Sequence, residues 1–497
     1  MTPIEIRADQ HSWRDIIAIA DGAPVRLSGA VRDTLARYRK AVEAIAARGD
    51  RVYGITTGLG ALSDVLLSKD EIVALSTNTV RSHSVAVGEP LPNRCVRAIM
   101  AAQIMNYRHG HSGISPAVVE QIVALLNAGI TPVVPRQGSV GWIAHTAFIA
   151  TALIGEGMVS DNGTVKPAAD ALRAHGLSPV TLGAKDGLSL INGSPCMVGL
   201  GSIVMEAATR LVDWADLIAA MSFEILGGQI AAYDPAVMTA KRHASVAQVG
   251  ARLRSFLDGS AIVAANKGRR TQDALSIRSV PQIHGGIRDA LAYAATRLDD
   301  EANAATDNPL VFLDQAEPRI VSQANPHAEG LALAIDMVAI ALTELGGVAE
   351  RRIDRLVNPL VSGLPPFLVM KPGVNSGFMI VQYTAASIAS ENKILAHPAS
   401  VDNFTTSGQQ EDHLSLGTPG ALKALTVAMN VQKILGIEYL CAAQAFEFRE
   451  GHQPGRGTGA AYAHLRQAVS AYDTDRILNP DMEAAISLLD APCPVSA

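Results

Sequence analysis

Cysteine is scarce in this chain. Only Cys95, Cys196, Cys441 and Cys493 occur, scattered and with no CxxC pair, which argues against a disulfide framework and a zinc-finger type site. Aromatic residues make up 4%, and alternating β-branched runs are few and short, so little speaks for an all-β fold. A basic excess is missing too: the net charge is −6, so nothing points to nucleic acid or an anionic membrane surface as a partner. The first residues, MTPIEIRADQHSW, lack a basic segment followed by an apolar one, and no signal peptide is expected. Nor is there an uninterrupted apolar run of membrane length. The most apolar stretch, 330–348, carries Asp336 and Glu344, which a membrane span would rarely hold together. A buried bundle helix and a cytoplasmic protein are expected.

Hydrophobic residues, by contrast, reach 48% and charged ones 18%, a balance that supports a large packed core. The length of 497 residues by itself suggests two to four domains. Apolar residues recur at helical spacing over 27–47, 115–127, 199–221, 276–297, 330–350, 377–396 and 419–444. Alanine is abundant, which favours helix and lets helices approach closely. An all-α architecture follows. Gly- and Pro-punctuated loops are common before position 195 and rare after it. This predicts an N-terminal helix/loop domain over 1–195 and a long helical bundle over 196–497.

The stretch Tyr53-Gly54-Ile55-Thr56-Thr57-Gly58-Leu59-Gly60 reads as an ordinary turn or as a glycine-rich ligand loop. Phosphate binding is disfavoured, because no Lys-Ser/Thr ending follows and no strand clearly precedes it. Further polar clusters sit where plain loops would not need them. They are Arg81-Ser82-His83, Gly138-Ser139-Val140-Gly141, Leu190-Ile191-Asn192-Gly193, Gln272-Asp273 with Arg278, Thr306-Asp307-Asn308-Pro309-Leu310, Asn325-Pro326-His327-Ala328-Glu329 and Gln409-Gln410-Glu411-Asp412-His413. His109, His111, His284 and His413 show no spacing typical of a metal site, so no metal is expected.

In this order and spacing the clusters resemble the aromatic amino acid lyases, and the histidine ammonia-lyase family most of all. The resemblance covers roughly 27–459 and is especially close over Ser390-Glu391-Asn392-Lys393 and His397-Pro398-Ala399-Ser400-Val401-Asp402. It implies a mostly helical fold of that family and a homotetramer whose active sites draw residues from three subunits. It also implies that Tyr53 is the base that takes the substrate's β-proton. A free tyrosine titrates near ~10, so such a role needs a nearby cation or hydrogen bonds that favour the phenolate. Arg278 matches the arginine that grips the substrate carboxylate, a task suited to a guanidinium fork. Asn192, Gln272 and Asn325 fall among the substrate-binding positions. His83 and Glu411 match the residues that accompany imidazole substrates, since a glutamate accepts a ring N–H and a histidine exchanges one.

One family feature is missing. Relatives build a methylidene-imidazolone cofactor from an Ala-Ser-Gly tripeptide directly after the Gly-Ser-Val-Gly motif. Here Gly141 is followed by Trp142-Ile143-Ala144-His145, and no Ala-Ser-Gly occurs in the loop. Leu275 and Pro326 also stand where a tyrosine and a phenylalanine are common. A quaternary ammonium has no N–H to compete with the β-proton and leaves as a neutral amine without an electrophile. The departures therefore predict a member without cofactor, resembling ergothionase, that eliminates trimethylamine from ergothioneine or hercynine. The alternatives are a histidine ammonia-lyase giving urocanate and ammonia, and a non-catalytic homologue that keeps the fold for binding.

Overall fold

The computed structural model describes residues 2–62, 64–449 and 451–495. Helices dominate, and the longest are Pro195–Ile225, Val280–Ala302, Glu329–Val357 and Gly417–Phe446. Helix Gly29–Arg48 shows why these residues choose helix. Ser28 caps it by accepting from the Val31 N–H at 3.3 Å, and Gly49, at φ 74°, ends it in the left-handed region. Its buried residues Val31, Leu35, Tyr38, Val42 and Ile45 form one stripe. Each large apolar side chain so buried contributes about 1.5–3 kcal/mol.

The helix expected over 276–297 is broken. Leu275–Arg278 forms one turn, and Val280–Ala302 starts after Ser279. Pro281 has no N–H to donate to the Ile277 carbonyl. The Tyr233 hydroxyl donates to that carbonyl instead, at 2.5 Å.

The chain forms two compact units that are interleaved in sequence, so no single cut near 195 separates them. The first comprises Met1–Glu206, Ala294–Asp336 and Pro398–Lys423. Every strand among the described residues belongs to it: a parallel pair, two antiparallel pairs and one three-stranded sheet, Ile130–Pro132 with Met158–Asp161 and Thr164–Pro167. These short ladders hold loops rather than build a core.

The second comprises Ala207–Tyr293, Met337–His397 and Ala424–Ala497. Its helices are cross-tied by buried charge. Asp216 accepts from Arg252 at 2.8 Å and Arg288 at 2.5 Å and lies 2.8 Å from His284 Nδ1. Glu438 takes both prongs of Arg352, at 2.6 and 2.9 Å. Such pairs are costly to desolvate, and removal of one partner strands the other.

Candidate active site

The first unit holds a cavity of about 1290 Å³. Its floor is the apolar cluster of Ala147, Leu188 and Ile191, against which Tyr53, Leu59 and Ile143 pack. Tyr53 is brought there by a tight turn. Gly54 adopts φ +66°, and a Cβ on it would lie 2.3 Å from Leu188 Cδ2, so glycine alone fits. Gly60, at φ +53°, points its backbone N–H at the Tyr53 hydroxyl oxygen, 3.2 Å away.

Electrostatics at Tyr53 are opposed. Burial pushes its pKa up, the Gly60 N–H pulls it down, and the Glu411 and Asp307 carboxylates push it up again. The net direction is upward. The N–H donor is thus the phenolate-favouring contact in this chain, and an incoming cation would add to it.

His83 ends helix Lys69–His83 and lines the cavity. Its Nδ1 is 2.8 Å from the Thr79 carbonyl. A carbonyl only accepts, so Nδ1 carries the proton and a neutral His83 keeps its Nε2 lone pair for a ligand. Glu411 lines the same cavity from a loop in which Ser407, Gly408 and Gln409 all have positive φ. The Thr406 hydroxyl donates to Glu411 Oε2 at 3.2 Å, and their backbones pair as an isolated bridge.

Asn192 caps helix Asp186–Ile191 and is buried. Its Nδ2 donates to Asp307 at 3.3 Å and to the Asn308 carbonyl at 3.0 Å. Asp307 is the hub of this wall: Lys185 Nζ meets its Oδ2 at 2.5 Å and Ser189 donates to the same oxygen at 2.8 Å. The sequence reading named the Thr306–Leu310 motif but missed Lys185, whose signal is the adjacent pair Lys185-Asp186 in an otherwise uncharged stretch.

The remaining residues fall elsewhere. Asn325 is exposed, and its Nδ2 donates to the Ala305 carbonyl at 3.1 Å; its neighbours Ala324 and Pro326 line the cavity, whereas it does not. Gln272 and Arg278 belong to the second unit. There Asp273 accepts from the Gln229 N–H at 2.5 Å and steadies the segment, Gln272 is exposed, and Arg278 is half-buried at the end of helix Leu275–Arg278. The cavity therefore gathers Tyr53, His83, Asn192 and Glu411, but not Asn325, Gln272 or Arg278.

The loop after Ser139 is tightly fastened. Ser139 Oγ donates to the Trp142 carbonyl at 2.8 Å, Thr418 Oγ1 donates to the Gly141 carbonyl at 3.1 Å, and the Leu416 N–H donates to the Val140 carbonyl at 2.9 Å. Ile143 has φ 69° and Ala144 has φ 55°, ψ −70°. The His145 N–H donates to the Ile143 carbonyl at 2.8 Å, which closes a classic-sense γ-turn, a rare and strained shape. Trp142 and Ile143 both face the cavity.

Two histidines that sequence spacing did not connect meet on the same wall. His327 Nε2 lies 3.1 Å from His413 Nδ1, and the rings stack at 5.2 Å.

Comparison with known proteins places this arrangement. A family model described as aromatic amino acid lyase matches residues 12–467. The histidine ammonia-lyase of Symbiobacterium thermophilum is 47% identical over 96% of this chain and 94% of its own length. Among solved structures, histidine ammonia-lyase from Trypanosoma cruzi superposes with a TM-score of 0.91 at 35% identity, covering 98% of this chain and 93% of that one. Ergothionase from Treponema denticola superposes with a TM-score of 0.93 at 29% identity, covering 98% of each.

These findings correct two expectations. Elimination of trimethylamine from ergothioneine or hercynine does not stand. Bacterial proteins 42–47% identical over 94–98% of the chain are named histidine ammonia-lyase, whereas ergothionase appears at 29%. A three-residue difference in one loop does not outweigh similarity along the whole chain. The expectation of no cofactor falls with it, because the family and its histidine ammonia-lyases carry the methylidene-imidazolone group formed from Ala-Ser-Gly. The residues at the matching position of this chain, Gly141-Trp142-Ile143-Ala144, do not spell that tripeptide, and the last two are held in the γ-turn. They do not fit the group.

Proposed function

Because this chain belongs to the aromatic amino acid lyase family and is a carbon–nitrogen lyase, we propose that it releases ammonia from histidine to give urocanate. The observation that carries this reading is that His83 and Glu411 share one cavity with Tyr53. The Nε2 lone pair of His83 and the Glu411 carboxylate are two acceptors, and an imidazole ring offers one or two N–H groups to them. A phenyl ring offers none, and burying the His83 lone pair against it would leave that acceptor unpaired, with Glu411 holding only its bond from Thr406.

In the proposed reaction the Tyr53 phenolate takes the pro-leaving β-proton, the Cα–Cβ double bond forms, and the amine departs with the C–N electron pair. The substrate's own positive charge offsets the Glu411 and Asp307 carboxylates and brings the phenolate within reach. Asn192 lends its amide oxygen, since its nitrogen is committed to Asp307 and Asn308.

Arg278 and Gln272 would reach this cavity from another copy of the chain within a homotetramer, with Arg278 on the substrate carboxylate. Supporting such an assembly, the second unit leaves Ile340, Ile380, Tyr383, Ile394 and Met429 exposed on three helices. Asn325 acts through its turn, by placing Pro326 and His327.

Incubation of the purified full chain with histidine, followed by ultraviolet absorbance of the acrylate product and by ammonia release, tests the reading. Turnover of histidine with little for phenylalanine or tyrosine is expected; preference for either of those overturns it.

A further inference from the structure

We propose that His327, His413 and Glu329 form a binding site for a divalent transition-metal ion of the zinc or cobalt class on the cavity wall. One ligand atom from each lies within 4.8 Å of the others. His327 Nε2 and His413 Nδ1 are already 3.1 Å apart, while Glu329 Oε2 lies 3.6 Å from the other nitrogen of His327, Nδ1, so the carboxylate must swing toward the Nε2 side to complete the set. Tetrahedral bonds of about 2.0–2.1 Å place donor atoms roughly 3.3 Å apart, so side-chain movements of up to about 1.5 Å close the set from its present spread of 4.8 Å.

A second observation is independent of the clustering. Glu329 Oε2 is buried and has no hydrogen-bond partner among the described residues. Its ion-pairing neighbour, His327 Nδ1, lies at 3.6 Å, beyond hydrogen-bonding reach, and a cation beside it would supply the interaction this oxygen lacks. Without a metal, a single proton must bridge the two imidazoles, since one nitrogen donates and the other accepts. A metal ion replaces that proton and uses both lone pairs.

The backbone explains why these residues converge. Ala328, between His327 and Glu329, sits at φ 47°, ψ 36° and reverses the chain, so that residues two apart turn toward one point. Glu329 opens helix Glu329–Val357, where its charge is favoured by the helix dipole. His413 is held by Asn403, whose amide pairs with both the N–H and the carbonyl of Leu414, at 3.0 and 3.2 Å. Trp142 covers His327 at 5.9 Å between rings.

The donor set selects the ion. Two imidazoles and one carboxylate suit zinc, cobalt or nickel and not magnesium or calcium, which take oxygen alone. Three protein ligands leave the remaining positions open, and His327 and His413 line the cavity, so those positions face it. A water or a small ligand with an imidazole or carboxylate would occupy them. None of this depends on which substrate the cavity takes.

The test uses the full chain, stripped with chelator, dialysed and titrated with Co²⁺, followed by its visible ligand-field bands and by calorimetry. One Co²⁺ per chain is expected, displaced by Zn²⁺ and not by excess Mg²⁺, with bands that shift on adding imidazole. His327→Ala and His413→Ala should each weaken binding at least about tenfold, and Glu329→Gln, which preserves shape, should weaken it as well. Thermal unfolding of each variant shows that it is folded. Absence of stoichiometric binding in the wild type, or unchanged affinity in folded His327→Ala and His413→Ala, overturns the proposal, since scattered surface histidines would then be the binders.

Discussion

At the scale of single residues, the balance at Tyr53 decides how the proposed chemistry responds to pH. Burial and two carboxylates raise its pKa above the ordinary tyrosine value, and one backbone N–H opposes them. A base must be deprotonated to act, so kcat/KM should climb through the alkaline range and still be rising near pH ~10. Tyr53→Phe should lose about 10²–10⁴-fold in kcat together with that limb; a variant with wild-type turnover would remove Tyr53 from the mechanism. Glu411 plays a different part, in recognition. Glu411→Gln keeps the shape but weakens acceptance from a ring N–H, and kcat/KM for histidine should fall about 10–100-fold, the equivalent of a charged hydrogen bond of roughly 1.5–3 kcal/mol. Steady-state kinetics with histidine measures both.

At the scale of elements, the cavity wall depends on one buried ion pair. Lys185 and Asp307 are both fully buried and join helix Asp186–Ile191 to the loop that follows helix Val280–Ala302. Lys185→Met would leave the Asp307 carboxylate buried without its cation, at a cost of about 3–5 kcal/mol. Urea unfolding of the variant should show that loss, and Lys185→Met with Asp307→Asn should recover part of it, because the stranded charge is then gone. A single variant as stable as wild type would show that Ser189 and the Asn308 N–H satisfy Asp307 unaided. The loop 138–145 makes a contrasting case. Its residues hold a γ-turn beside hydrogen bonds from one distant segment, 416–418, a shape that local propensity would not choose.

At the scale of the whole molecule, acid stability and assembly are the measurable properties. His109 is pushed down to about 4, first by burial and then by the neighbouring Arg108. An unfolded chain takes up this proton near ~6.5. The folded chain refuses it until about 4, so stability is complete above the higher value and falls as pH drops through the window. The loss is of the order of 3 kcal/mol for full titration. His109→Gln should flatten the dependence of unfolding free energy on pH between those limits, and an unaltered slope would assign it to other groups. Assembly is tested by mixing defects. Tyr53→Phe and Arg278→Ala homomers should each be nearly inactive, while co-expressed chains regain part of the activity, because some sites receive both intact residues; no recovery would place Arg278 and Tyr53 in one site of one chain.

Helix content, most helix limits and the family were legible in the sequence, because apolar periodicity and short polar motifs are local signals that need no partner. The residues Tyr53, His83, Asn192 and Glu411 were legible for the same reason: each is embedded in its own motif. The break at Ser279 was legible only in part, since Pro281 withholds a donor but the hydroxyl that replaces it comes from Tyr233. The missing Ala-Ser-Gly after Gly141 was read as loss of the cofactor and a change of substrate, and similarity along the remainder of the chain overturns both readings. What only the tertiary structure decided is which distant segments meet. The Lys185–Asp307 hub and the pairing of His327 with His413 join positions 122 and 86 residues apart. No spacing rule spans such a gap; packing of the intervening helices and loops closes it.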